Sequence, residues 1–163
     1  MLLSSNDPVV WVGWLLVVEA ILLAGRVDDA QVLIDGIEDL PGLGGAIDTM
    51  TRNLIVGLGL LMIGRPEEAG PMLRECLASA RAVRSHSMMQ AAHALLAEVH
   101  ARTGAPDAAA RELEKAGEPE PDGVCGALVL RARTALGSGD GDAAALRAAA
   151  EKLGAPGLLL GTT

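Results

Sequence analysis

Four copies of one six-residue turn decide how this chain is read: GRVDDA at 25–30, GRPEEA at 64–69, GAPDAA at 104–109 and GDGDAA at 139–144. Each opens on a glycine able to end one helix in the left-handed conformation. An acidic residue or proline follows where the next helix starts, and an alanine stands five residues after the glycine. Helix, tight turn, helix is what such a segment encodes. The glycines Gly25, Gly64, Gly104 and Gly139 are 39, 40 and 35 residues apart, a period that belongs to stacked helical hairpins and not to a single enzyme core.

Working outward from the turns, eight helices fall into four pairs. The first pair is expected at about 8–24 and 28–39, the second at about 46–63 and 67–84, the third at about 87–103 and 107–117, and the fourth at about 123–137 and 142–153. The cleanest pattern is in the second helix of the second pair. There Ala69, Met72, Leu73, Cys76, Leu77, Ala80 and Val83 recur at helical spacing, with Glu67, Glu68, Arg74, Glu75 and Arg81 on the other side. Pro66 suits its first position, whereas Pro71, one turn in, removes a backbone donor and is expected to loosen that turn. The connection GEPEPDG at 117–123 is the expected hinge.

Composition agrees with one all-α domain over 1–163. Half of the 163 residues are apolar and 21% are charged, enough to bury a core. Two Trp and no Phe or Tyr exclude an aromatic nucleic-acid platform. A net charge of −8 argues against direct contact with DNA or RNA, which needs clustered Lys and Arg. The acids dominate both ends, and only residues 64–104 hold more bases than acids, five against four. Arg74, Arg81, Arg84 and His86 gather there about a helix end, where cations are favourable for ordinary dipole reasons. Cys76 and Cys125 have neither metal nor redox spacing, which fits a reduced cytoplasmic setting, with Cys76 a buried structural thiol.

The run VVWVGWLLVVEAILLAG (residues 9–25) is apolar enough to suggest a membrane span. It is too short, about 16 residues against the roughly 20 that a span needs, carries Glu19 and lacks a preceding basic region. A buried helix is expected instead. Being apolar on every face, that helix must be covered. Trp11 and Trp14 are the expected self-association residues of a homodimer, unless preceding repeats of a longer protein cover them. The ending LGAPGLLLGTT reads as an approach to another element.

The turns resemble those of the tetratricopeptide repeat family, and more narrowly the longer, degenerate repeats in the sensor region of large LuxR-type regulators of the maltose-activator type. The matching positions are the four turn glycines, the alanines Ala30, Ala69, Ala109 and Ala144, and the small residues Gly57, Ala97 and Ala132 seven before the glycine, where the first repeat has Val18. The resemblance implies a right-handed superhelix of αα-hairpins whose first helices line a concave groove. Carried over position by position, that groove includes Leu15, Glu19, Leu22, Leu54, Leu58, Leu61, Glu98 and Arg133, an aliphatic trough with charges to orient a guest. A protein partner or an apolar small molecule is the expected occupant.

Catalysis has little to rest on in the sequence: there is no phosphate-binding glycine loop, nucleophile elbow or paired-histidine metal motif. His86, His93 and His100 share a helical face, but two-turn steps of about 10.5 Å keep neighbours from sharing one metal. No cofactor and no metal are expected. The expected function is therefore that of a non-catalytic binding or scaffold module, the sensing or protein-interaction part of a bacterial transcription regulator, with a stand-alone homodimeric binder of an apolar small molecule as the alternative.

Overall fold

A computed structural model of the chain describes residues 17–36, 45–119, 123–137, 140–160 and 162. Residues 17–23 are helical and form α1. They are followed by α2 (Val27–Asp35), α3 (Ala46–Met62), α4 (Pro66–Ala82), α5 (His86–Arg102), α6 (Pro106–Ala116), α7 (Val124–Ala135), α8 (Asp140–Leu153) and a 3-10 turn (Pro156–Leu159). Every described element is helical. Consecutive helices pack as pairs, α3 on α4, α5 on α6 and α7 on α8, and α5 also lies against α4 and α7. This is an all-α array of helical pairs. Residues 8–16 and 37–39 of the expected first pair, with Leu15, Trp11 and Trp14, lie outside the described residues.

The first three turns share one backbone solution. Gly25, Gly64 and Gly104 take φ of 76°, 81° and 77°, and in each the glycine and its successor return hydrogen bonds to the last helical turn. At the second copy Gly64 N–H donates to Leu61 O at 3.2 Å and Arg65 N–H to Leu60 O at 2.8 Å. This double return satisfies carbonyls that a helix end otherwise leaves unpaired. It also turns the chain at once into a helix opened by an acidic first turn, or by proline at its first position.

The fourth copy departs from the sequence expectation. The glycine that turns left-handed after α7 is Gly137, at φ 70°, Gly139 lies outside the described residues, and Ala144 is exposed. The geometry of the first three turns recurs again at Gly154–Pro156. Ala155 there has φ −121° and ψ 65° against −116° and 65° at Ala105, and Ala155 N–H donates to Ala150 O at 2.8 Å. The alanine of this hexad falls on the exposed first turns of α8 and does not make the helix contact that Ala69 and Ala109 make.

Small residues let the helices approach. Val18, Ala97 and Ala132 are fully buried, as are Ala69 and Ala109. A Cβ on Gly57 would sit 2.6 Å from Leu73 Cδ2, and one on Gly59 would overlap Ile34 Cδ1. So α3 receives α4 on one side and the first pair on the other through its glycines, and the Leu73 and Ile34 side chains that fill those notches each gain about 1.5–3 kcal/mol from burial. On α4 the expected stripe is buried at Ala69, Leu73, Cys76, Leu77 and Ala80, while Val83 is exposed. The helix runs on through Pro71, whose exposed position lets solvent serve the carbonyl it leaves unpaired. No described helix is long and apolar enough to cross a membrane.

Candidate functional site

Glu98, one turn before the end of α5, is fully buried, a placement that costs several kcal/mol unless the charge is paired and fully hydrogen-bonded. Arg131, also fully buried on α7, supplies a two-pronged partner: its Nε donates to Glu98 Oε2 at 2.8 Å and its Nη2 to Oε1 at 2.9 Å. Arg102, one turn along α5, donates to Oε1 as well, and its other nitrogen reaches Leu61 O at the end of α3, at 2.8 Å. The remaining prong of Arg131, Nη1, donates to Leu158 O at 2.8 Å. One carboxylate thus ties three first helices, α3, α5 and α7, to the segment after α8. The bidentate fork is what makes the burial tolerable.

That segment then reaches the opposite end of the array. The backbone of Gly157 lies against Leu22 O and Gly25 N, so closely that a Cβ at Gly157 would overlap the Leu22 carbonyl oxygen. Ala155, Gly157 and Leu158 are buried. The apolar ending therefore approaches another element as its composition suggested, and that element is the close of α1.

The expected groove residues are distributed unequally. Leu22, Leu58 and Leu61 are buried in the core at 1%, 6% and 0% exposure, so their side chains do not line an open trough; Leu54 and Glu19 are half-buried. Leu22 and Glu98 are linked through the 155–160 segment, which meets the Leu22 backbone at Gly157 and, at Leu158, the arginine that holds Glu98. Glu98 is not free to orient a guest with its carboxylate, because both oxygens are held by arginines. Arg133, expected beside it, points elsewhere and pairs with Glu118 at 3.0 Å on the surface. Residues 126–129, 131 and 132 are the buried part of α7, and Arg133 is not among them. The sequence reading missed Arg131, although its place three residues after Leu128 and directly before Ala132 was the available signal.

A second arrangement lies where α4, α5 and α6 meet. Arg74, Leu77 and Arg81 share one face of α4, His93, Leu96 and His100 share one face of α5, and Glu112 and Lys115 share one face of α6. They line an open pocket of about 350 Å³. Glu112 accepts from Lys115 Nζ at 2.7 Å and holds His93 Nδ1 at 2.6 Å. Partial burial pushes the Glu112 carboxyl up, but the hydrogen bonds from Lys115 and His93 and their charge outweigh it and hold the group below its ordinary value. An adjoining pocket of about 310 Å³ includes His86, Met89 and Gln90, so the three histidines do share one lined face. Gln90 Nε2 donates to Ala116 O at 3.0 Å and Glu118 O at 2.9 Å, tying down the start of the 117–123 connection.

A third pocket, about 240 Å³ between α2, α3 and α4, is closed electrostatically by its own residues: Arg65 bridges Asp35 at 3.0 Å and Glu68 at 2.6 Å. Among the described residues no three His, Cys, Asp or Glu side chains gather as a metal ion requires.

Comparison with known proteins returned no match: no family model, no curated protein and no solved structure is significantly similar to this chain.

Proposed function

We propose that the chain is a non-catalytic binding and scaffold module, the sensing or protein-interaction part of a bacterial cytoplasmic transcription regulator, and that its inner face takes a short apolar main-chain segment folded as a 3-10 turn. The observation that supports this reading is the seating of residues 155–160. A buried arginine donates to a main-chain carbonyl at Leu158, a glycine permits backbone-to-backbone approach at Leu22 and Gly25, and a leucine is wholly enclosed. Those are the elements of peptide recognition: a main-chain hydrogen bond for affinity and a side-chain pocket for specificity. The regulator setting is supported by the likeness of the turn motif to LuxR-type sensor repeats.

A segment tethered in the same chain competes at an effective concentration of order mM, so a partner at micromolar concentration displaces it only if it binds far more tightly. Gly157→Ala tests this directly, since a methyl group there has no room. A fluorescent peptide of residues 154–163 is expected to bind the Gly157→Ala protein at least tenfold more tightly than the unsubstituted chain, with helicity by circular dichroism unchanged. Equal binding to both, or binding to neither, rules out an inner face that accepts a guest.

A further inference from the structure

We propose that the pocket between α4, α5 and α6 binds a small amphiphilic anion, one phosphate or carboxylate head carried on a compact apolar body. Its walls bring Arg74, Arg81 and Lys115 together against a single carboxylate, Glu112. That carboxylate is already engaged by Lys115 and His93. Arg74 and Arg81 are exposed on α4 and form no ion pair with any described residue. This excess of positive charge stands out in a chain of net charge −8. A cleft lined by one sign of charge concentrates oppositely charged solutes, and the planar arginine fork matches both carboxylate and phosphate oxygens.

The floor narrows the class further. Leu77 and Leu96 close the bottom at 7% and 3% exposure, and both stand midway between the cationic or imidazole residues of their helix. An inorganic ion would leave that apolar floor wet, whereas a ring or short branched chain would cover it while its head meets the guanidinium groups. The volume, about 350 Å³, lies at the small end of ligand pockets, which run from roughly 300 to 1,000 Å³. The pocket touches the second helices α4 and α6, away from the Glu98 and Arg131 pair, so the proposal does not depend on the inner face accepting a guest.

Calorimetric titration with phenyl phosphate, inorganic phosphate and benzyl alcohol separates the contributions. Phenyl phosphate is expected to bind at least tenfold more tightly than inorganic phosphate, benzyl alcohol not to bind, and Arg74→Gln with Arg81→Gln to weaken phenyl phosphate tenfold or more. The proposal is overturned if phenyl phosphate and inorganic phosphate bind equally, if the arginine substitutions leave binding unchanged, or if phenyl phosphate does not bind at all.

Discussion

Arg131 and Arg81 are the same residue type, each near the middle or end of a helix, yet one is sealed inside the array and the other stands over an open pocket. The difference lies in what each guanidinium has to satisfy it. Arg131 distributes its three nitrogens over both oxygens of Glu98 and the Leu158 carbonyl, so its removal strands a buried carboxylate and a buried carbonyl. Arg81 has water, and its removal strands nothing. Buried charge in this fold is architectural, and exposed charge is what remains available for ligands.

The largest expected effect follows from that contrast. Arg131→Met leaves Glu98 with Arg102 alone and is expected to cost about 3–5 kcal/mol in urea unfolding, against less than about 0.5 kcal/mol for Arg81→Gln. A comparable cost for both would dissolve the distinction. Packing gives the next contrast: Ala109 is fully buried and Ala144 exposed. Ala109→Trp should therefore lose about 1–3 kcal/mol by overpacking, while Ala144→Trp should leave the melting curve nearly unchanged. Equal curves would mean the third pair is not packed in this register.

A smaller effect of opposite sign is expected at the junction of α4 and α5. Arg84 occupies the left-handed position, at φ 56°, that glycine holds at the other turns, and it makes the same return bonds, Arg84 N–H to Arg81 O at 3.2 Å and Ser85 N–H to Ala80 O at 2.9 Å. Arg84→Gly relieves Cβ strain but frees the unfolded chain, so a net gain of up to about 1 kcal/mol is expected in thermal unfolding. A loss would show that Arg84 makes a contribution that its backbone conformation does not reveal.

The smallest effect concerns pH. Glu112 is held below its ordinary value of 4.5 in the folded chain, so the stability it contributes is fully present above about pH 4.5 and is lost as pH falls through the folded value. Unfolding compared for the native chain and Glu112→Gln should show a difference at neutral pH that closes on acidification below 4.5. A difference independent of pH would point to packing and not charge.

How much of this was legible in the sequence depends on the range of the interaction. Gly64 and Pro66 declare a turn because glycine and proline act on their own backbone, and the helix bounds follow from residues a few positions apart. At the fourth turn Gly137 and Gly139 are both plausible locally; Gly137 takes the left-handed conformation, and Gly139 lies outside the described residues. Glu98 was recognised as facing inward but its role was not, since its partner lies 33 residues away and the one local sign that favours Arg131 over Arg133, its spacing from Leu128, is weak beside that distance. The basic face of α4 was visible as helical spacing. Its union with His93, His100 and Lys115 needed three helices brought together, which the turn spacing implies only in outline.

The central claim is that residues 155–160 are seated on the inner face and bridge α7 to the close of α1. Hydrogen exchange of the amides in this segment tests it most directly, because Leu158 and Leu160 N–H are bonded to Ala155 O and Gly157 O, both at 3.1 Å. Protection close to that of α5, falling sharply in the Arg131→Met protein, is the result expected. Exchange of these amides as fast as in an unstructured peptide would contradict the account.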